Sequence, residues 1–186
     1  MLSIALSLSR SRVPSSSKRR FASYAGPQWH VVALVLAVAI VVQTTLLHFL
    51  AIRGATPSLV LVAVVWFAIR VDARRAAIYG LFAGICEDVL AAGTGGAWTI
   101  STTVTAMLTS VLSRGFFADS IPIVAAATAI ATLVRDLIFW TVMSLEGYPS
   151  GLAGVHFHQA LWQALLDVAV MIAAMLLVRR FEIGRA

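Results

Sequence analysis

Between Trp29 and Val178 one long apolar stretch follows another, and the charges that interrupt them are few and clustered. A helix that crosses the ~30 Å hydrocarbon core of a bilayer needs about 20 such residues. The chain is 60% hydrophobic and 12% charged, against about 25% charged in ordinary globular domains, and its mean hydropathy is +0.93. The solvent for most of this sequence is therefore lipid. The expected fold is all-α, a polytopic membrane protein built as a compact bundle.

Six helices follow from the apolar segments and the turns between them. The first is Trp29–Leu50, interrupted by Gln43, Thr44, Thr45 and His48. Pro57 opens the second, Ser58–Ile69, as proline suits the first turn of a helix. The others are Ala76–Ala92, Ala97–Leu112, Ser120–Leu145 and Gln159–Val178. The links "RVDARR", "GTGG" and "RGFFAD" are short, which favours antiparallel neighbours; "EGYPSGLAGVHFH" is longer.

Charge orients these spans. Of the 14 basic residues, all but Arg53 and Arg135 fall in the N-terminal tail, the second and fourth connections or the C-terminal end. Basic residues gather on the cytoplasmic side, so both termini are expected in the cytoplasm, in keeping with an even number of spans. Residues 1–28 are rich in Ser, Arg and Lys and contain no acid. Their apolar "MLSIALSLS" precedes the charges, the reverse of a secretory signal. A disordered basic cytoplasmic tail that touches anionic lipid is the expectation, with an organelle transit peptide as the alternative. The transmembrane domain occupies residues 29–180 and a short cytoplasmic end 181–186.

Five charged residues fall inside the apolar segments: Glu87, Asp88, Arg135, Asp136 and Asp167. Each costs about 2.5–3.5 kcal/mol at mid-bilayer, so such residues pair or line a cavity. At ~1.5 Å per residue, Glu87 lies roughly 16 Å from the inner end of its helix and Asp167 roughly 18 Å. Gln43 and Arg135 lie at about 21–22 Å on the same measure. One polar layer shared by helices one, three, five and six accounts for all four. One acid, from Glu87, Asp88 or Asp167, is expected to pair with Arg135 through a bidentate contact. Successive residues diverge by about 100° around a helix, so Glu87 and Asp88 cannot both face it. Asp88 continues the line Ala76, Gly80, Gly84 at four-residue spacing, a small-residue seam that lets another helix come close. Helix ties, a proton or ion relay, and a polar pocket for a ligand or a partner helix all remain open for this layer.

Several apparent motifs carry no chemistry. "GTGG" at 93–96 has no following Lys-Ser/Thr and no preceding strand; a tight turn is expected there because glycine accepts positive φ. "SSSK" at 15–18 has the Ser-x-x-Lys spacing without its companion motifs. His156 and His158 lie two apart in the last link without a third ligand, and read as interfacial polar residues. Trp66, Trp98, Trp140 and Trp162 belong to interfaces or helix contacts. The single Cys86 excludes an internal disulfide and a cysteine-clustered metal site, and is expected to pack among helices as a small apolar residue. No exposed basic face with interleaved aromatics suggests nucleic acid. No catalytic residue, cofactor or metal is expected.

The segments "VVQTTLL", "ATPSLVLVAVVWFAI" and "YGLFAGICEDVLAAGTGGAWTISTTVTAMLTSVL" occur in that order. Together they resemble the rod shape-determining MreD family, over residues 29 to 180. The family has a Gln late in helix one, a Pro opening helix two, Gly-x-x-x-Gly-x-x-x-Asp on helix three, and a glycine turn into helix four. Here these fall on Gln43, Pro57, Gly80, Gly84, Asp88, and Gly95 or Gly96, with a further Asp on helix five at Asp136. Glu87 and the long basic tail depart from that pattern. The resemblance implies a non-enzymatic component of the bacterial cell-elongation machinery in the inner membrane. Its implied partners are MreC above all, with MreB, RodA and a penicillin-binding protein in the same assembly. It also implies a fold similar to the substrate-binding subunits of energy-coupling-factor vitamin transporters, and such a subunit is the alternative function.

Overall fold

The computed structural model describes residues 27–45, 51–92, 94–113 and 120–183. The basic tail up to residue 26, His48, Gly93 and Arg114 lie outside the described residues. Six α-helices follow in order: α1 (Trp29–Thr45), α2 (Leu59–Ala68), α3 (Ala73–Ala91), α4 (Ala97–Leu112), α5 (Ile121–Leu145) and α6 (Ala153–Ile183). A single 3₁₀ turn, Ser150–Leu152, leads into α6. No strand occurs among the described residues; Ile52 and Ala55 form one isolated bridge.

The arrangement of side chains is that of a protein dissolved in hydrocarbon. Phe82, Val89, Leu137 and Leu165 point outward, each more than half exposed. The largest fully buried side chain is instead a charged one, Arg135. Two helices, α5 and Ala153–Phe181 of α6, are long and apolar enough to cross a membrane by themselves. At ~1.5 Å per residue the ten-residue α2 is only about 15 Å long.

That short helix is the centre of the fold. It packs against all five others, and Val60, Leu61, Val62, Val64, Val65, Phe67 and Ala68 are buried. A helix that is apolar on every side belongs inside. Val60, Val64 and Phe67 join Val32 and Leu36 of α1 and Ala83 of α3 in one cluster. Leu61, Val62 and Val65 join Val124 of α5 and Met171 and Met175 of α6 in the other.

The most extensive helix contact is between α3 and α4, and two glycines make it possible. A Cβ on Gly80 would lie 2.7 Å from the Thr102 carbonyl oxygen, and one on Gly84 2.5 Å from Thr99 Cα. Both obstacles are backbone, so neither can move aside. The small-residue seam read from the sequence is thus occupied by the next helix of the same chain.

Three local readings change. The helix α6 begins at Ala153 rather than near Gln159, so His156 and His158 are helical and not in a link. Stacking of the His156 ring on Trp140 at 5.1 Å anchors that first turn. The helix α3 begins at Ala73, which brings Glu87 to about 21 Å along it, level with Gln43 and Arg135. Cys86 is exposed rather than packed among helices, because it sits two residues, about 200°, from the Gly84 face.

Candidate functional site

The candidate site is built on the N-terminus of α2. The first N–H groups of any helix have no partner within it and need side chains or water instead. Here two other helices and the cap residue itself serve that end. Asp167 of α6 accepts the Ser58 N–H at Oδ1, 2.6 Å away. Gln43 of α1 accepts the Val60 N–H at Oε1, 3.1 Å away. Ser58 is the N-cap and its Oγ accepts the Leu61 N–H at 3.2 Å, the usual role of serine before an apolar run.

Arg135 of α5 extends this hub. Its Nη1 donates to Ser58 Oγ at 3.2 Å and to Glu87 Oε1 at 3.2 Å. Glu87 Oε2 accepts from Thr102 Oγ1 of α4 at 3.1 Å, and Asp167 Oδ2 accepts from Thr132 Oγ1 of α5 at 2.9 Å. The chain of bonds Thr132–Asp167–Ser58–Arg135–Glu87–Thr102, with Gln43 beside it, joins all six helices. Arg135 is also held over the Trp98 ring, 4.8 Å from its centroid. Trp98 stacks on Phe139 at 4.1 Å and Phe139 on His156 at 5.8 Å. The cation thus stands at the foot of an aromatic column shared by α4, α5 and α6.

Asp88 does something else. It accepts the backbone N–H of Trp98 at 3.2 Å and of Thr99 at 2.8 Å, together with the hydroxyls of Thr94 and Thr99. Those amides open α4, whose own N-cap residue is Gly96, without a side chain. A carboxylate from the preceding helix therefore caps the positive end of the next one. Gly95 and Gly96 complete the turn at φ 54° and 92°, values that glycine adopts without steric cost.

Asp136 stays outside the network. Its carboxylate Oδ2 is buried without a hydrogen-bond partner, and its backbone oxygen lies 3.4 Å from His156 Nε2. Pro57 precedes the Ser58 cap and, like Ser58, lines the cavity beside the hub. That cavity has a volume of about 320 Å³ and is bordered by α1, the start of α2, α3, Trp98, Arg135 and Gln163.

Sequence reasoning missed Ser58, Thr102, Thr132 and Gln163. Ser58 carried a readable signal, since a serine just before an apolar helical run is an N-cap signature. The threonines carried none, because Thr is common in membrane helices facing any direction. The hub can brace six helices and borders a polar recess of about 320 Å³. No described residue forms a nucleophile–base pair in it.

A model of the family described as rod shape-determining protein MreD matches residues 26–182. No curated protein and no solved structure matches the chain.

Proposed function

The chain belongs to the rod shape-determining MreD family, a family of membrane proteins, and from that premise we propose that it is a non-enzymatic scaffold of the cell-elongation machinery. In this reading it crosses the bacterial inner membrane six times with both termini in the cytoplasm. It docks MreC and helps to position peptidoglycan synthesis by RodA and a penicillin-binding protein, with MreB on the cytoplasmic side.

The observation that carries the reading is the family match along nearly all of the chain. The placement of basic residues supports the orientation: Arg70, Arg74 and Arg75 surround the start of α3, and Arg179 and Arg180 the end of α6, one side of the membrane if both helices cross. The exposed α1, α3 and α6 faces carry apolar side chains such as Leu34, Phe82 and Leu176, suited to lipid or to a single partner helix. Because α4 fills the Gly80–Gly84 seam, MreC docks elsewhere.

Depletion of the protein tests the proposal. Rod-shaped cells are expected to round up, and MreC is expected to co-purify after extraction in mild detergent. Failure of MreC to co-purify together with intact cell shape on depletion would sink the idea.

A further inference from the structure

An apolar groove runs along the outside of the bundle between α1 and α6, both of which pack on α2. Ala63 and Trp66 of α2 form part of its floor, Val38 of α1 stands on one side, and Val170, Ala174 and Val178 of α6 on the other. Its volume is about 330 Å³ and its lining holds only aliphatic side chains and Trp66. The three α6 residues follow at four-residue intervals, so the groove extends about 12 Å along that helix. One leaflet of a ~30 Å hydrocarbon core is about 15 Å thick.

One end of the groove is basic. Trp66 is half-buried and packs against both core clusters. The Arg70 guanidinium lies 3.8 Å from its ring centroid, and Arg70 Nη1 donates to the Trp66 carbonyl at 2.8 Å. The cation is thereby fixed at the C-terminal end of α2, where the helix carbonyls favour it. Arg179 belongs to the same end. It follows Val178 of the groove and lies one turn beyond Met175, which packs in one cluster with Val65, with Ile69 against it. Tryptophan and arginine are the residues that mark the level where hydrocarbon gives way to headgroups.

Charge decides what fills the groove. Many apolar chains would suit its walls, but the occupant must also answer the arginines. The α2–α3 connection and the end of α6 carry Arg70, Arg74, Arg75, Arg179 and Arg180 against Asp72 and Glu182, and Asp72 is paired with Arg75 at 3.5 Å. A guanidinium matches phosphate oxygens in a forked geometry. A zwitterionic lipid brings a cation of its own to this end, and a partner helix would need acids at the same depth. A lipid whose headgroup carries net negative charge meets both demands, with an acyl chain in the groove and its phosphate at the arginines.

We infer that the groove between α1 and α6 holds one anionic phospholipid of the leaflet on the Arg70 side, its phosphate bound by Arg70 and Arg179. The site goes beyond the scaffold reading and does not depend on it, since MreC docking can fail and leave lipid binding intact.

Native mass spectrometry of the whole protein in mild detergent tests the site. The probe is phosphatidylglycerol, with phosphatidylcholine of the same acyl chains and inorganic phosphate as comparison arms. Saturable retention of one phosphatidylglycerol is expected, with phosphatidylcholine held about tenfold more weakly or less. Arg70→Gln and Arg179→Gln are each expected to weaken retention about fivefold, as a surface arginine contributes about 1 kcal/mol toward anionic lipid. Arg74→Gln removes the same charge at the start of α3 and is expected to change little. Ala174→Trp fills the groove without altering either arginine and is expected to abolish retention. Arg179 is exposed on the last turns of α6, so its variant decides the matter if Arg70→Gln does not fold. Equal retention of the two lipids, an equal loss in Arg74→Gln, undiminished retention in Ala174→Trp, or displacement of the lipid by inorganic phosphate overturns the inference. Capture of a partner's transmembrane helix by a photo-crosslinker placed at position 174 in cells overturns it as well.

Discussion

Glu87 and Arg135 form an ion pair at 3.2 Å between α3 and α5, with side chains 9% and 2% exposed. The two helices are not otherwise closely packed. Truncating one partner of a buried pair leaves the other charge uncompensated, which costs about 3–5 kcal/mol. Arg135→Glu is therefore expected to lower the unfolding temperature in detergent strongly. Adding Glu87→Arg should recover part of the loss, whereas adding Asp88→Arg should not. Equal rescue by both would mean that Glu87 is not the specific partner.

Asp88 is a cap supplied from outside the helix it caps. Asp88→Ala should cost about 1 kcal/mol, up to ~2. Amide exchange should quicken first at Trp98 and Thr99, whose N–H groups lose their acceptor. Asp88→Asn keeps one accepting oxygen but replaces the other with an NH2 that cannot accept. It so loses part of the cap in addition to the charge at the helix N-terminus, the latter alone about 0.3–1 kcal/mol. An alanine variant with unaltered exchange at those two amides would contradict the capping role.

The α3–α4 contact leaves no room for a methyl group. Gly84→Ala is expected to cost about 1–3 kcal/mol by overpacking, and Gly80→Ala a similar amount. Gly151→Ala is the control, as nothing lies within 4 Å of its Cβ position; a change within about 0.5 kcal/mol is expected. Thermal unfolding of the three variants reads the difference, and equal stability would show that the helices do not approach this closely.

Asp167 serves a backbone N–H and a hydroxyl at once. Asp167→Leu orphans the Ser58 N–H, at about 1–3 kcal/mol, and is expected to raise amide exchange at Ser58; the Thr132 hydroxyl keeps the Thr128 carbonyl 3.1 Å away. Asp167→Asn retains an acceptor for Ser58 and should fall between the leucine variant and the native protein. Native-like exchange at Ser58 in Asp167→Leu would rule out the contact.

Much of this protein was determined by its sequence alone. The apolar lengths located all six helices, with α4 placed at Ala97–Leu112 in both sequence and structure. Intervals along each helix placed Gln43, Glu87, Arg135 and Asp167 at one level, because helix rise converts residue count directly into depth. The 100° turn per residue also showed that Glu87 and Asp88 must part company. Sequence could not say which of them met Arg135, since that depends on the helix lying opposite each face. Tertiary structure decided it: α4 packs on the glycine seam, so Asp88 meets helix amides while Glu87 meets the cation. It also decided that the polar layer has a centre. A short buried helix, α2, presents N–H groups that its own turns cannot satisfy, and residues from α1 and α6 converge there to do so. The fate of those amides is set by neighbours distant in sequence, and local pattern holds no record of them.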